Sequence, residues 1–266
     1  MVDYPQKDHY DFDDLRRVMR ILRAPDGCPW DREQTHASIR NDLLEEAYEV
    51  ADAIDRDCPA DLCEELGDLL MNVIFHADLA EDEGRFSFED VVDGIVRKMI
   101  YRHPHVFGDV TAGTTGEVLS NWDALKRAEK SQKTYTDTLE SVPRAFPALM
   151  RARKVQKRAA KAGFDWPDGE GAWDKLSEEI GELKAAEAAG DADAVREELG
   201  DLLFSAVNVS RFLKVDAEQA LAAATEKFIA RFAAVEELAG KRGVEMGRAS
   251  LAELDALWDE VKRQDS

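Results

Sequence analysis

The chain has 266 residues and a formal charge of −21, with 35 Lys and Arg against 56 Asp and Glu, and 34% of its residues are charged. An excess of acid on that scale argues against a nucleic-acid backbone as partner, because phosphate binding rests on Lys and Arg. No apolar run approaches the ~20 residues of a membrane span, and Met1-Val2-Asp3-Tyr4-Pro5 has no basic region leading into an apolar core. Three cysteines without a Cys-x-x-Cys spacing give neither a disulfide framework nor a zinc knuckle, so a reducing cytoplasm is the expected compartment.

In chain order, a break at Ala24-Pro25-Asp26-Gly27-Cys28-Pro29 precedes Trp30 and the Glu33-x-x-His36 element. Apolar residues at Leu43, Leu44, Ala47, Val50, Ala51 and Ile54 recur at helical spacing. Glu45-Glu46-x-x-Glu49 lies on that helix. A short link at Cys58-Pro59 leads to a second helical pattern at Leu62, Leu66, Leu69, Leu70, Val73 and Ile74, which carries Glu64-Glu65-Leu66-Gly67-Asp68-Leu69-Leu70. Breaks follow at His103-Pro104 and at Thr111 to Gly116. The polar, Thr-rich stretch ending at Pro143 reads as the linker, which places a first repeat at 1–132, a linker at 133–143 and a second repeat at 144–266.

The second repeat opens with a further break at Trp166-Pro167-Asp168-Gly169, and then the acidic pattern returns. Glu178-Glu179-x-x-Glu182 is followed by Glu197-Glu198-Leu199-Gly200-Asp201-Leu202-Leu203, with Gly190-Asp191 in the link. Glu45 and Glu178, Glu64 and Glu197, and Asp68 and Asp201 are each 133 residues apart. A solvated acidic face has no reason to repeat with its gap intact, so two homologous domains are the economical explanation. Strand signals are weak, and the fold expected is all-α, as two helical-bundle repeats.

Residues three apart are neighbours on a helix, so Glu46/Glu49 and Glu65/Asp68 form two carboxylate pairs, as do Glu179/Glu182 and Glu198/Asp201. Antiparallel packing across each short link turns both pairs toward one pocket. Four anions together repel unless a cation sits among them, and all-oxygen ligands suit a hard divalent ion such as Mg²⁺. Such an ion would also let an acidic protein hold a nucleotide triphosphate. Lys98 to Arg102 resembles Lys227 to Arg231 at an offset of 129, which leaves four extra residues in the first copy near Glu81 to Arg85. The spacing fits either a phosphate-binding pair or an ordinary solvated basic pair. Glu33-x-x-His36 occurs once and no acidic cluster has a His three residues on, which disfavours a di-iron bundle. His103 and His105 read as capping or packing groups. Trp30 and Trp166 read as core.

These residues resemble the all-α nucleoside triphosphate pyrophosphohydrolases, whose signature is Glu-Glu-x-x-Glu followed by Glu-x-x-Asp. With Cys28-Pro29-Trp30-Asp31, Arg102 to Phe107, Gly163 to Trp166 and Glu226-Lys227-Phe228, the chain is similar to their two-repeat, MazG-like form from about Phe12 to Gln264. The resemblance implies hydrolysis of a nucleoside triphosphate, ATP among them, to monophosphate and pyrophosphate with Mg²⁺, or Mn²⁺ in its place. It also implies a cytoplasmic, intertwined homodimer in which the C-terminal repeat turns over. Carried onto matching positions, Glu179, Glu182, Glu198 and Asp201 would hold metal. Lys175, Glu178, Glu197, Lys227, Arg231 and Trp258 would meet the nucleotide, Trp258 by stacking, and Glu178 could take the attacking water's proton or orient it. Glu46, Glu49, Glu65 and Asp68 would form a second, silent site, although the first repeat keeps every acidic position.

Overall fold

A computed structural model describes residues 4–108, 114, 116, 122 and 132–264. The Thr111–Gly116 break lies largely outside the described residues. Among the described residues there are twelve helices and no strand.

The chain divides into two compact units, residues 1–126 and 127–266. The first contains α1 (Phe12–Arg23), α2 (Pro29–Glu33), α3 (Arg40–Asp55), α4 (Pro59–Asp82), α5 (Phe88–Arg102) and α6 (Pro104–Phe107). The second contains α7 (Tyr135–Glu140), α8 (Ala148–Lys161), α9 (Glu170–Ala189), α10 (Ala192–Phe212), α11 (Ala217–Lys241) and α12 (Leu251–Gln264). Residues 135–140, expected inside the linker, instead form α7, which packs on α8. Its start is fixed by a capping box in which the Thr134 hydroxyl accepts from the Asp137 amide and the Asp137 carboxylate accepts from the Thr134 amide.

The dominant packing in each unit is one long helical hairpin, α3 on α4 and α9 on α10. Links this short allow only an antiparallel return. Pro59 starts α4 at a position where its missing N–H costs nothing. Gly190 ends α9 at φ +71°, a conformation a side chain would strain, and Asp191 then caps α10 by accepting from the Asp193 and Ala194 amides. In the first unit Met19, Ile39, Ile74, Phe75, Ala77, Leu79 and Phe88 form the core over which α1 crosses α4. In the second, Val235, Ala239, Leu257 and Val261 pack α11 on α12.

Each hairpin also leaves apolar residues bare. Leu66, Leu70 and Val73 on α4 are exposed, as are Leu199, Leu203 and Phe204 on α10. Among the described residues no helix is long and apolar enough to cross a membrane.

Candidate functional site

The α9/α10 hairpin brings Glu179 and Glu182 from one helix against Glu198 from the other, with a carboxylate oxygen of each within 4.8 Å of the other two. The α3/α4 hairpin does the same with Glu46, Glu49 and Glu65. Among the described residues these are the two groups able to hold a metal ion through three or more side chains. Four carboxylates were expected in each pocket, and three meet. The aspartate, Asp68 or Asp201, lies one turn further along its helix on a shorter side chain. It is felt there as charge: Asp68 raises the Glu46 pKa, and Asp201 raises that of Glu198.

Three of these carboxylates, Glu46, Glu65 and Glu198, hold their protons more tightly than usual for a physical reason. For Glu198 the largest cause is lost hydration, followed by repulsion from Glu182, Glu179, Asp201 and Glu197. Glu46 and Glu65 are raised in the same way, first by lost hydration and then by their acidic neighbours. Such a set is relieved by a cation placed among the oxygens.

The second cluster differs from the first in its most enclosed member. Glu179 is 3% exposed. Its Oε1 accepts from the Lys175 ammonium at 2.7 Å, and the same ammonium reaches Glu178 Oε1 at 2.8 Å. The Lys175 pKa is driven well above its usual value by Glu178 and then Glu179. Glu179 Oε2 is buried without a hydrogen-bond partner. A buried, unsatisfied carboxylate oxygen on a residue clustered with two more carboxylates belongs to a donor set suited to a hard divalent ion. The residues present fit Mg²⁺ or Mn²⁺.

The remaining expected contacts lie on other helices. Lys227 and Arg231 sit one turn apart on α11, which packs against α8, α10 and α12. Lys227 is exposed and has no ion pair among the described residues. Trp258 on α12 is half-buried in the α11/α12 core, its ring 5.2 Å from that of Phe228. Glu197 is exposed on α10. Lys175, expected at the nucleotide, is therefore also an internal counter-ion, which spacing alone did not reveal.

Two tryptophans expected in the core are not there. Trp30 is 59% exposed, and Trp166 is 40% exposed, lying over Gly171, where a Cβ would come within 2.3 Å of its ring. His103 does cap: its Nδ1 is 2.6 Å from the Met99 carbonyl at the end of α5, and its ring meets Trp122 edge-on. His36 pairs with His76, Nδ1 to Nδ1 at 2.8 Å, and neither acidic triad contains a histidine. A signal missed in the sequence is Trp122-Asp123-x-x-Lys126-Arg127, which returns as Trp258-Asp259-x-x-Lys262-Arg263 and gives the first repeat a tryptophan matching Trp258.

Comparison with known proteins agrees with this geometry. Residues 34–107 and 170–235 match the model of the MazG nucleotide pyrophosphohydrolase domain, so each match contains one triad. The chain is 48% identical over 256 residues to a nucleoside triphosphate pyrophosphohydrolase of Escherichia coli K12, covering 95% of this chain and 97% of that one. It is 45% identical over 254 residues to the nucleoside triphosphate pyrophosphohydrolase/pyrophosphatase MazG of Thermotoga maritima, covering 96% of each. An uncharacterised protein of Bacillus subtilis, YabN, is 45% identical over 255 residues, which are 52% of its length.

Proposed function

This chain belongs to the MazG nucleotide pyrophosphohydrolase family, and from that premise we propose that it hydrolyses nucleoside triphosphates to monophosphate and pyrophosphate with Mg²⁺, mainly in its C-terminal repeat. The observation that carries the assignment to this repeat is Glu179, buried with one oxygen held by Lys175 and the other without a partner, in a residue clustered with Glu182 and Glu198. Glu179, Glu182 and Glu198 would hold the metal, joined by Asp201 from one turn along α10, and Mn²⁺ suits the same oxygens. Bound there, the ion would offset the charge of the triphosphate and of the departing pyrophosphate and acidify the attacking water.

The chain's own side chains supply the rest. Water oxygen bonds to the α-phosphorus, the α–β anhydride bond breaks, and its electron pair leaves with pyrophosphate. Glu178, held by Lys175, would take the water's proton or orient the water. Lys227 and Arg231 offer positive charge to the phosphate oxygens, the guanidinium to two at once. Trp258 offers a ring face to the base, with Phe228 behind it.

The exposed apolar residues along α4 and α10 support assembly as a homodimer, since bare leucines along a hairpin gain by being covered. The enzyme would work in the cytoplasm on the nucleotide pool, by removing or regulating triphosphates. Hydrolysis in ¹⁸O-water followed by phosphorus NMR tests the reaction: label in the monophosphate and none in pyrophosphate is expected. Label in pyrophosphate, or diphosphate plus orthophosphate as products, would overturn attack at the α-phosphorus.

A further inference from the structure

The two repeats can be compared position by position at the residues expected to meet a nucleotide. Glu178 is matched by Glu45, Glu197 by Glu64, Lys227 by Lys98, Arg231 by Arg102 and Trp258 by Trp122. The four carboxylates are matched as well. The exception is Lys175, whose counterpart at the same 133-residue offset is Asp42. Among all these positions, charge reverses only there.

The position is well placed to matter. Lys175 lies one helical turn before Glu178 and Glu179 and puts its ammonium between their carboxylates. Asp42 lies one turn before Glu45 and Glu46 on α3, where residues three and four apart are neighbours. In the second repeat two acids share a cation, and in the first a third acid takes the cation's place. A triphosphate is a polyanion. Even at the dielectric constant of bulk water, a reversal by two unit charges a few ångströms from it changes affinity by about tenfold or more.

We propose that the charge at this one position decides which carboxylate cluster accepts a triphosphate: Lys175 admits it to the second repeat and Asp42 excludes it from the first. The proposal rests on the reading that turnover belongs to the C-terminal repeat. It makes Asp42 a specificity-determining residue, and the first repeat a site that keeps the rest of its nucleotide-facing set. A bare divalent ion, being positive, is not excluded by Asp42.

The test uses the full chain with the second site disabled by Glu179→Gln and Asp201→Asn, with and without Asp42→Lys. Binding of an α,β-methylene nucleoside triphosphate in Mg²⁺ is measured by calorimetry, binding of Mn²⁺ alone by electron paramagnetic resonance, and turnover by pyrophosphate release. Asp42→Lys is expected to tighten the analogue by about tenfold or more while Mn²⁺ binding alone does not improve. In the otherwise native chain, Lys175→Asp is expected to weaken the analogue by a similar factor and to leave Mn²⁺ bound. A folded Asp42→Lys protein that gains no affinity, or a Lys175→Asp protein that loses none, overturns the proposal. Should Asp42→Lys not fold, the Lys175→Asp arm decides. If the disabled protein already binds and hydrolyses triphosphate like wild type before residue 42 is changed, it is the C-terminal assignment that fails, and the proposal falls with it.

Discussion

Glu179→Gln changes one atom at the most enclosed point of the second cluster, and its effect can be worked out with and without metal. In the native chain Oε1 accepts from Lys175 at 2.7 Å, Oε2 is buried without a partner, and a carboxylate oxygen of Glu179 lies within 4.8 Å of oxygens of Glu182 and Glu198. Glutamine keeps the shape and the acceptor for Lys175, and it places an N–H donor where the bare oxygen stood. Without metal, the lost charge pair and the relieved repulsion have opposite signs, and both are softened by water reaching Lys175, whose side chain is 39% exposed. The melting temperature in EDTA should therefore stay within about 4 °C of wild type. With metal the two proteins separate. A ligand at 100 times its dissociation constant stabilises the native state by about 2.7 kcal/mol, or about 10 °C for a unit of this size. The variant, one anionic oxygen short, should lose most of that gain, and its turnover should fall about 10²-fold, about 3 kcal/mol of transition-state stabilisation. Calorimetric melts in EDTA and in millimolar Mg²⁺, matched in ionic strength with NaCl, read the first quantity, and pyrophosphate release reads the second. A fall of more than about 10 °C in EDTA would mean that Glu179 is chiefly a structural partner of Lys175, and the metal-site reading would fail.

The matching changes in the first repeat, Glu46→Gln and Asp68→Asn, should each lower turnover less than about threefold, whereas Glu198→Gln and Asp201→Asn cost about 10²-fold in the same assay. Asp78, 5% exposed with neither oxygen hydrogen-bonded, has its pKa raised first by burial, with Arg20 opposing. A raised carboxyl stabilises the fold only while protonated, so its contribution is complete below the ordinary value near 3.9 and is lost as pH rises through the raised one. Asp78→Asn should accordingly melt at or above wild type near neutral pH, with the difference vanishing at acid pH. Gly171→Ala puts a methyl 2.3 Å from the Trp166 ring and should destabilise the second unit by about 1–3 kcal/mol. Trp166→Ala in the same chain should restore most of the loss in a thermal melt.

The repeated hairpins were legible because helix, acid spacing and link each left a separate mark. Leu43 to Ile54 and Leu62 to Ile74 set the period, and the 133-residue offset tied both copies to one chemistry. What spacing could not show was the side-chain outcome. The linker expected at 133–143 looked like one because it is polar, yet Thr134 and Asp137 form a capping box and α7 docks on α8. Trp30 and Trp166 looked like core because they are large and apolar, but Trp30 lies in the first turn of the short helix α2 after Pro29, and Trp166 in the loop before Pro167, and both rings stay at the surface. The aspartates share the helical spacing of their glutamate neighbours, but a side chain one methylene shorter stops outside the triad. Spacing fixes a face, and reach along that face depends on side-chain length.

The same limit explains why the two repeats look equivalent by their carboxylates and differ by their counter-ions. A buried carboxylate costs free energy unless something positive offsets it. Glu179 can be 3% exposed because Lys175 holds one of its oxygens, and that pairing leaves the other oxygen fixed, dry and free for a metal. Glu46 has Asp42 at the corresponding place and remains only half-buried. Enclosure of Glu179 and a fixed oxygen thus follow from one lysine, and under the proposed reading tolerance of a polyanion would follow from it too. The repeated acids alone would suggest two equivalent candidate metal sites. The difference that separates the repeats lies in the cation, one helical turn before the motif.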